Sequence, residues 1–278
     1  MGVSFDCASK REIEAVLSLD VSPSRIVYAH PYKPVSSLNY AKLKNVSLMT
    51  FDTSIELYKI KDVYPSAKLL LRLLPEIEFD ARIQFGSRFG CPLSEVKKVL
   101  RLAYDLNLNI VGVSFHVGSD VKDPEAYISV LSQSRDVFDI AEEIGFNMTI
   151  LDIGGGFPGD HNTSRQFTKF AEVINKTVLD LFPPDNNLEI IAEPGRYIVA
   201  SAFTVVANII GKRCYKKSIA GNETDDNDEI QTASNAKVST TYFINDSVFG
   251  NFVFGHLYKP GSEIYTPKLV KHFVYLDC

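Results

Sequence analysis

The first two-thirds of the chain alternate between two hydrophobic periods. Val3–Ala8, Arg25–Ala29, Ser47–Phe51, Lys68–Leu74, Asn109–His116, Thr149–Ile153 and Glu189–Ala192 are short and mostly apolar, and read as strands. The stretches between them carry apolar residues at helical spacing. Ser9 with Glu12 three residues on fits a capping box for a helix to about Leu19. A second helix covers Val35–Leu43, and Asp52/Thr53 cap a third that ends before Pro65. Pro92–Leu106 places Val96, Val99, Leu100, Ala103 and Leu106 on one face. Pro124–Ile144 is a long helix closed by Gly145, and Phe167–Phe182 is another. Nearly continuous apolar strands alternating with helices predict a parallel sheet buried on both faces. Seven such units in under 200 residues favour an α/β fold of the (β/α)₈ barrel type, whose first strand would precede Met1.

The pattern changes near residue 200. Val205–Cys214 and Thr240–Ile244 read as strands with no helix between them. Gly221–Ala236 is acidic and almost free of large apolar side chains, so it is expected to be a disordered surface loop. The predicted organisation is therefore a barrel domain over 1–200 and the start of an all-β domain over 201–278.

Composition narrows the function classes. Thirty-four acids against 29 Lys and Arg give a net charge of −5, which argues against nucleic-acid or membrane-surface binding. No apolar stretch approaches the ~20 residues of a membrane span. Residues 1–10 show no basic-then-apolar leader, so a cytosolic protein is expected. Cys7, Cys91, Cys214 and Cys278 are scattered, which suggests neither a zinc site nor a disulfide framework.

The polar residues of interest cluster at strand ends, where barrel enzymes keep their chemistry: Asp6, Arg72, His116, Asp152 and Glu193. Gly154-Gly155-Gly156 leaves a strand, and three glycines let backbone N–H groups approach a phosphate; the same run also reads as a tight turn. Glu193-Pro194-Gly195-Arg196 sets a carboxylate and a guanidinium three residues apart, suited to a ligand with a basic ring nitrogen and an anionic end, or to a structural ion pair. His116, followed by Gly118 and Ser119, reads as a loop against a ligand or as a core histidine. Arg72 is a charge inside KLLLRLL, needing a partner in the barrel mouth unless it snorkels at the strand end. Asp246 alone reads as a turn residue.

Together FDCASK (5–10), RIVYAHP (25–31), MTFD (49–52), GVSFHVGS (112–119), LDIGGGFPG (151–159), AEPGRYIVASAFT (192–204) and INDSVFG (244–250) make the chain resemble the eukaryotic ornithine decarboxylase family, which includes antizyme inhibitor and lies within the fold-type III pyridoxal-phosphate decarboxylases. The resemblance implies a pyridoxal-phosphate (PLP) barrel followed by a β domain, working as a homodimer with shared sites in polyamine biosynthesis: ornithine to putrescine. It implies that Glu193 pairs with the pyridine nitrogen and His116 stacks on the ring. Ser119, Gly154, Gly155, Gly156, Pro194, Gly195 and Arg196 surround the phosphate. Asp6 sits near the imine, Arg72 joins the cofactor network, and Asn245 and Asp246 meet the substrate's distal ammonium. The family's cofactor lysine lies on the strand before the FDCAS segment, so no lysine in these 278 residues is assigned that role. Ser247 stands where the family has glycine, and the family's Cys-Asp-Gly motif has no counterpart in Tyr265–Cys278. The 278 residues by themselves are accordingly expected to be inactive. The alternative is a non-catalytic, antizyme-inhibitor-like regulator that binds antizyme through Tyr32–Tyr64, where Lys33, Lys42, Lys44, Lys59 and Lys61 stand against Asp52, Glu56 and Asp62, a pattern that suits an acidic partner and is equally an ordinary solvated face.

Overall fold

The computed structural model describes residues 2–159, 164–182, 187–203, 205–216, 238–247 and 250. In chain order its elements are β1 (Phe5–Cys7), α1 (Lys10–Leu17), β2 (Ile26–Tyr28), α2 (Val35–Leu43), β3 (Leu48–Phe51), α3 (Ser54–Val63), β4 (Lys68–Arg72), β5 (Ala81–Ile83), α4 (Leu93–Asp105), β6 (Asn109–Ser114), β7 (Ser119–Val121), α5 (Glu125–Ile144), β8 (Ile150–Asp152), α6 (Ser164–Leu181), β9 (Glu189–Ile191), α7 (Gly195–Val199), β10 (Ile209–Lys216) and β11 (Val238–Ile244). The chain divides into two compact units, 1–203 and 204–278.

The first unit is built on a seven-stranded sheet in the order β1-β2-β3-β4-β6-β8-β9, every pair parallel. Helices connect the strands, as the alternating periods require, and the barrel-type α/β reading holds. The caps form locally. Ser9 Oγ accepts the Glu12 N–H, while the Glu12 carboxylate takes the Ala8 N–H and the Ser9 hydroxyl. Such a cap is worth about 1 kcal/mol. Thr53 caps α3 by accepting from Glu56 N. Asp52, read as sharing that cap, instead points back and accepts the Gly90 N–H at 2.8 Å. On α4 the stripe Val96, Val99, Leu100 and Ala103 is buried as its spacing predicts. Gly145 ends α5 at φ 111°, the left-handed region where a Cβ is costly. One core runs from Ile13 through Leu38, Phe51, Leu69 and Val113 to Tyr127 and Phe170.

Two short strands were not visible in the periodicity. Ala81–Ile83 and Ser119–Val121 pair antiparallel, tying the segment after β4 to the segment after β6. In the second unit β10 and β11 pair antiparallel with an irregularity between Ile209 and Gly211, and the first of these strands begins at Ile209 rather than Val205. The acidic loop Gly221–Ala236 and the end of the chain lie outside the described residues. Among the described residues no helix is long and apolar enough to cross a membrane.

Candidate active site

Sheet register brings the polar strand ends together. Arg72 pairs with Ser114, and Ser114 with Asp152, so the three share a row and a face across β4, β6 and β8. Asp152 pairs with Ile191, and the two-residue period carries Glu193 and His116 to the same face, each two positions beyond a member of that row. Asp152, Ser114 and Arg72 are buried, at 0%, 0% and 8% exposure. Arg72 therefore does not snorkel. Among the described residues it makes no ion pair; Glu193, Asp152, Asp6 and Asp52 act on it at longer range, while burial opposes its charge.

The result is a mouth with three carboxyl groups and one guanidinium. Burial, followed by the neighbouring Asp152 and Asp6 charges, lifts the Glu193 carboxyl well above its ordinary range. Burial also lifts Asp152. The two carboxyl groups face each other within hydrogen-bond reach, and Glu193 Oε1 and Asp152 Oδ2 are buried without a donor from the described residues. Like charges side by side disfavour ionising both carboxyl groups at once. Asp6 keeps solvent access at the rim, yet the atoms crowding its carboxyl and the Asp152 charge raise it to about 6.

His116 Nδ1 accepts the Gly118 N–H at 3.0 Å, which leaves its proton on Nε2. Burial, then the Arg72 charge, lowers its pKa to about 3, so the imidazole is neutral. Phe85 packs against it with ring centroids 4.8 Å apart. A cavity of about 230 Å³ opens beside it, between the 74–79 and 84–87 segments and His116–Gly118.

The glycine run has no space for side chains. Gly154 (φ 63°) would drive a Cβ into Phe115 O, and a Cβ on Gly155 would sit 2.5 Å from Glu193 O. Its carbonyls are all taken: Gly154 O by Glu193 N at 2.7 Å, Gly155 O by the Tyr127 hydroxyl at 2.9 Å, and Gly156 O by Val121 N at 3.0 Å. Gly154 N donates to Asp152 Oδ1 at 2.9 Å. Among the described residues, the N–H groups of Gly155 and Gly156 meet no acceptor. Arg196 Nε donates to Ser119 Oγ at 3.2 Å, on the same side as the glycine loop, which Gly159 seats directly on the Arg196 backbone. Two free N–H groups, a hydroxyl and a guanidinium form an anion cradle.

Of the residues expected from sequence, Asp6, Arg72, His116, Ser119, Gly154, Gly155, Gly156, Glu193, Pro194, Gly195 and Arg196 all fall in this unit. Asn245 and Asp246 belong to the second unit, where Asn245 Oδ1 accepts the Asn208 N–H and Asn245 N donates to Asn208 O. Sequence reasoning placed Asp152 at a strand end without a role, and passed over Tyr127 and Phe85. Tyr127 sits on the apolar face of α5 and carries no sequence signal that separates it from a core aromatic. Lys33 was counted as a surface charge. It is buried, 2.9 Å from Glu56, with its Nζ also donating to the carbonyls of His30, Pro31 and Thr50.

A parallel α/β sheet with an acidic mouth and an anion cradle at its strand ends defines a cofactor-binding barrel domain. The chain belongs to the pyridoxal-dependent decarboxylases: residues 1–200 match the family's pyridoxal binding domain. It is 44% identical over 252 residues to ornithine decarboxylase of Rattus norvegicus, covering 91% of this chain and 53% of the relative. It is 38% identical over 281 residues to antizyme inhibitor 2 of Xenopus laevis, covering 97% of this chain and 59% of the relative. Among solved structures, SrLDC in complex with PLP and cadaverine superposes with a TM-score of 0.73 at 31% identity, covering 92% of this chain and 59% of that one. The chain thus spans about half the length of the curated relatives it matches.

Proposed function

We propose that this chain is the cofactor-binding part of a PLP-dependent ornithine decarboxylase, acting in the cytosol as a homodimer. The observation that carries the reading is the pairing of an orphaned, buried Glu193 Oε1 with an anion cradle at Arg196, Ser119 and the glycine run. One accepts a ring N–H; the other takes a phosphate. The residues fit the cofactor at both ends.

When bound, PLP supplies an electron-withdrawing ring that accepts the electron pair left as CO₂ departs from the amino acid. The chain's own groups prepare for this. As a carboxylate, Glu193 would accept the ring N–H and so favour the protonated ring; burial and the Asp152 and Asp6 charges raise its carboxyl, and a cationic N–H partner opposes that rise. Asp152 orients Glu193 and pins the first glycine turn through Gly154 N. His116 presents an uncharged ring face, so it stacks on a cationic ring without repulsion. The Gly155 and Gly156 N–H groups, Ser119 and Arg196 bind the phosphate with charge-assisted hydrogen bonds. Asp6 lies at the open rim, suited to the substrate amine. Asn245 and Asp246 are proposed for the distal ammonium on the strength of the family resemblance.

The test is release of CO₂ from ornithine, lysine and arginine by the full-length protein with added PLP. Ornithine should be turned over in preference; release from none of the three would sink the enzyme reading. The second reading, an antizyme-binding regulator, draws support from the α2–α3 face. With Lys33, Asp52 and Glu56 buried, that face presents Lys42, Lys44 and Lys61 beside exposed Leu43, Ile55 and Tyr58. Capture of antizyme by an inactive full-length protein would favour it.

A further inference from the structure

The three peptide planes of the glycine run are each fixed from one side. In a trans peptide the carbonyl of one residue and the N–H of the next point in opposite directions. Whatever holds the Gly154 carbonyl therefore aims the Gly155 N–H, and whatever holds the Gly155 carbonyl aims the Gly156 N–H. The backbone does the first job, since Glu193 N donates to Gly154 O. A side chain does the second: the Tyr127 hydroxyl donates to Gly155 O at 2.9 Å.

Tyr127 is built for this. It is fully buried on α5. Its ring stacks on Phe157, centroids 5.4 Å apart and planes 16° from parallel, and meets the edges of Phe170 and Phe115. The hydroxyl has no freedom to swing away. Burial pushes the phenol pKa up, so it stays a donor. Glycine at 155 and 156 is otherwise free to flip its peptide planes, because it lacks the Cβ that restricts other residues.

Given that the mouth takes PLP as proposed above, we infer that Tyr127 is a positioning residue for the phosphate: it turns the Gly155–Gly156 peptide so that the Gly156 N–H faces the anion. It touches neither cofactor nor substrate. Its effect is confined to one of the two backbone donors, and that selectivity separates it from a packing role.

The experiment compares the wild-type full chain with Tyr127→Phe, which keeps the ring and removes only the hydroxyl. PLP and pyridoxal, which lacks the phosphate, are titrated by fluorescence. Tyr127→Phe should weaken PLP about three- to tenfold, the size of one lost hydrogen bond, and leave pyridoxal unchanged. In amide spectra, inorganic phosphate should shift Gly155 and Gly156 in the wild type, but mainly Gly155 in the variant. Equal weakening of PLP and pyridoxal, or equal phosphate shifts at both glycines in both proteins, would overturn the inference. A wild type that binds PLP no better than pyridoxal would overturn the cofactor reading together with it. A variant that loses nothing while the wild type discriminates would remove Tyr127 alone.

Discussion

Arg196 and Ser119 are 77 residues apart in sequence, and Arg196 Nε donates to Ser119 Oγ at 3.2 Å. Neither residue is on a strand of the main sheet. Ser119 opens β7, which the fold holds by pairing with β5, and Arg196 lies on α7 directly after Glu193. The contact couples the anion cradle to the acidic mouth through the short segment Glu193-Pro194-Gly195-Arg196.

Arg196→Ala should therefore weaken PLP binding by about 1.5–3 kcal/mol, the range for a hydrogen bond to a charged group. Ser119→Ala should cost about 1 kcal/mol, because it removes a neutral hydroxyl. Fluorescence titration measures both, and unchanged dissociation constants would disprove the cradle.

His116 gives a pH prediction. Its folded pKa is depressed to about 3 from 6.5, chiefly by burial. The unfolded chain thus takes up the proton first as pH falls, and the stability this residue contributes is present above 6.5 and lost as pH falls through about 3. Imidazole signals of His116 should not move between about pH 5 and 8; a midpoint near the ordinary histidine value would contradict the burial seen here.

How much of this was legible in the sequence depends on what each residue does locally. Ser9 with Glu12, and the 35–43 helix, follow from neighbours in the chain, and the structure reproduces them. Arg72, Glu193 and His116 could be placed because a strand end has a fixed direction in a parallel sheet. The β5–β7 pair could not, since each strand has three residues and its partner comes only after α4 and β6 in the chain. Tyr127 was hidden because packing and hydrogen bonding ask for the same residue type on the same helix face. Lys33 was misread because a lysine reads as surface until its carbonyl cage is known.

Asp6 gives the opposite sign to His116. Its pKa is raised from 3.8 to about 6, mainly by the atoms around it and then by Asp152. The folded state holds this proton more tightly, so the contribution is full below 3.8 and lost as pH rises through about 6. Asp6→Asn should flatten that part of the stability profile, read as thermal midpoints across the window. A variant profile that parallels the wild type would show that the Asp6 carboxyl is ordinary.

Lys33 is a structural residue on this account. Its Nζ sits in a closed set of three carbonyls and Glu56, and burial lowers its pKa to about 8. Lys33→Ala should destabilise the fold by about 3 kcal/mol. The cost falls at the low end of the range for buried pairs because Lys59 still reaches Glu56 at 2.6 Å. Borohydride reduction in the presence of PLP, followed by peptide mapping, should leave Lys33 unmodified. A pyridoxyl group on Lys33 would show that its cage opens.

The central claim is that one ligand spans the mouth from Glu193 to Arg196. A crystal structure of the protein soaked with PLP tests it most directly. The account predicts the phosphate within hydrogen-bond distance of the Gly155 and Gly156 N–H groups, Ser119 and Arg196, with the pyridine nitrogen facing Glu193 and the ring against His116. A phosphate bound elsewhere, or a ring nitrogen turned away from Glu193, would contradict it.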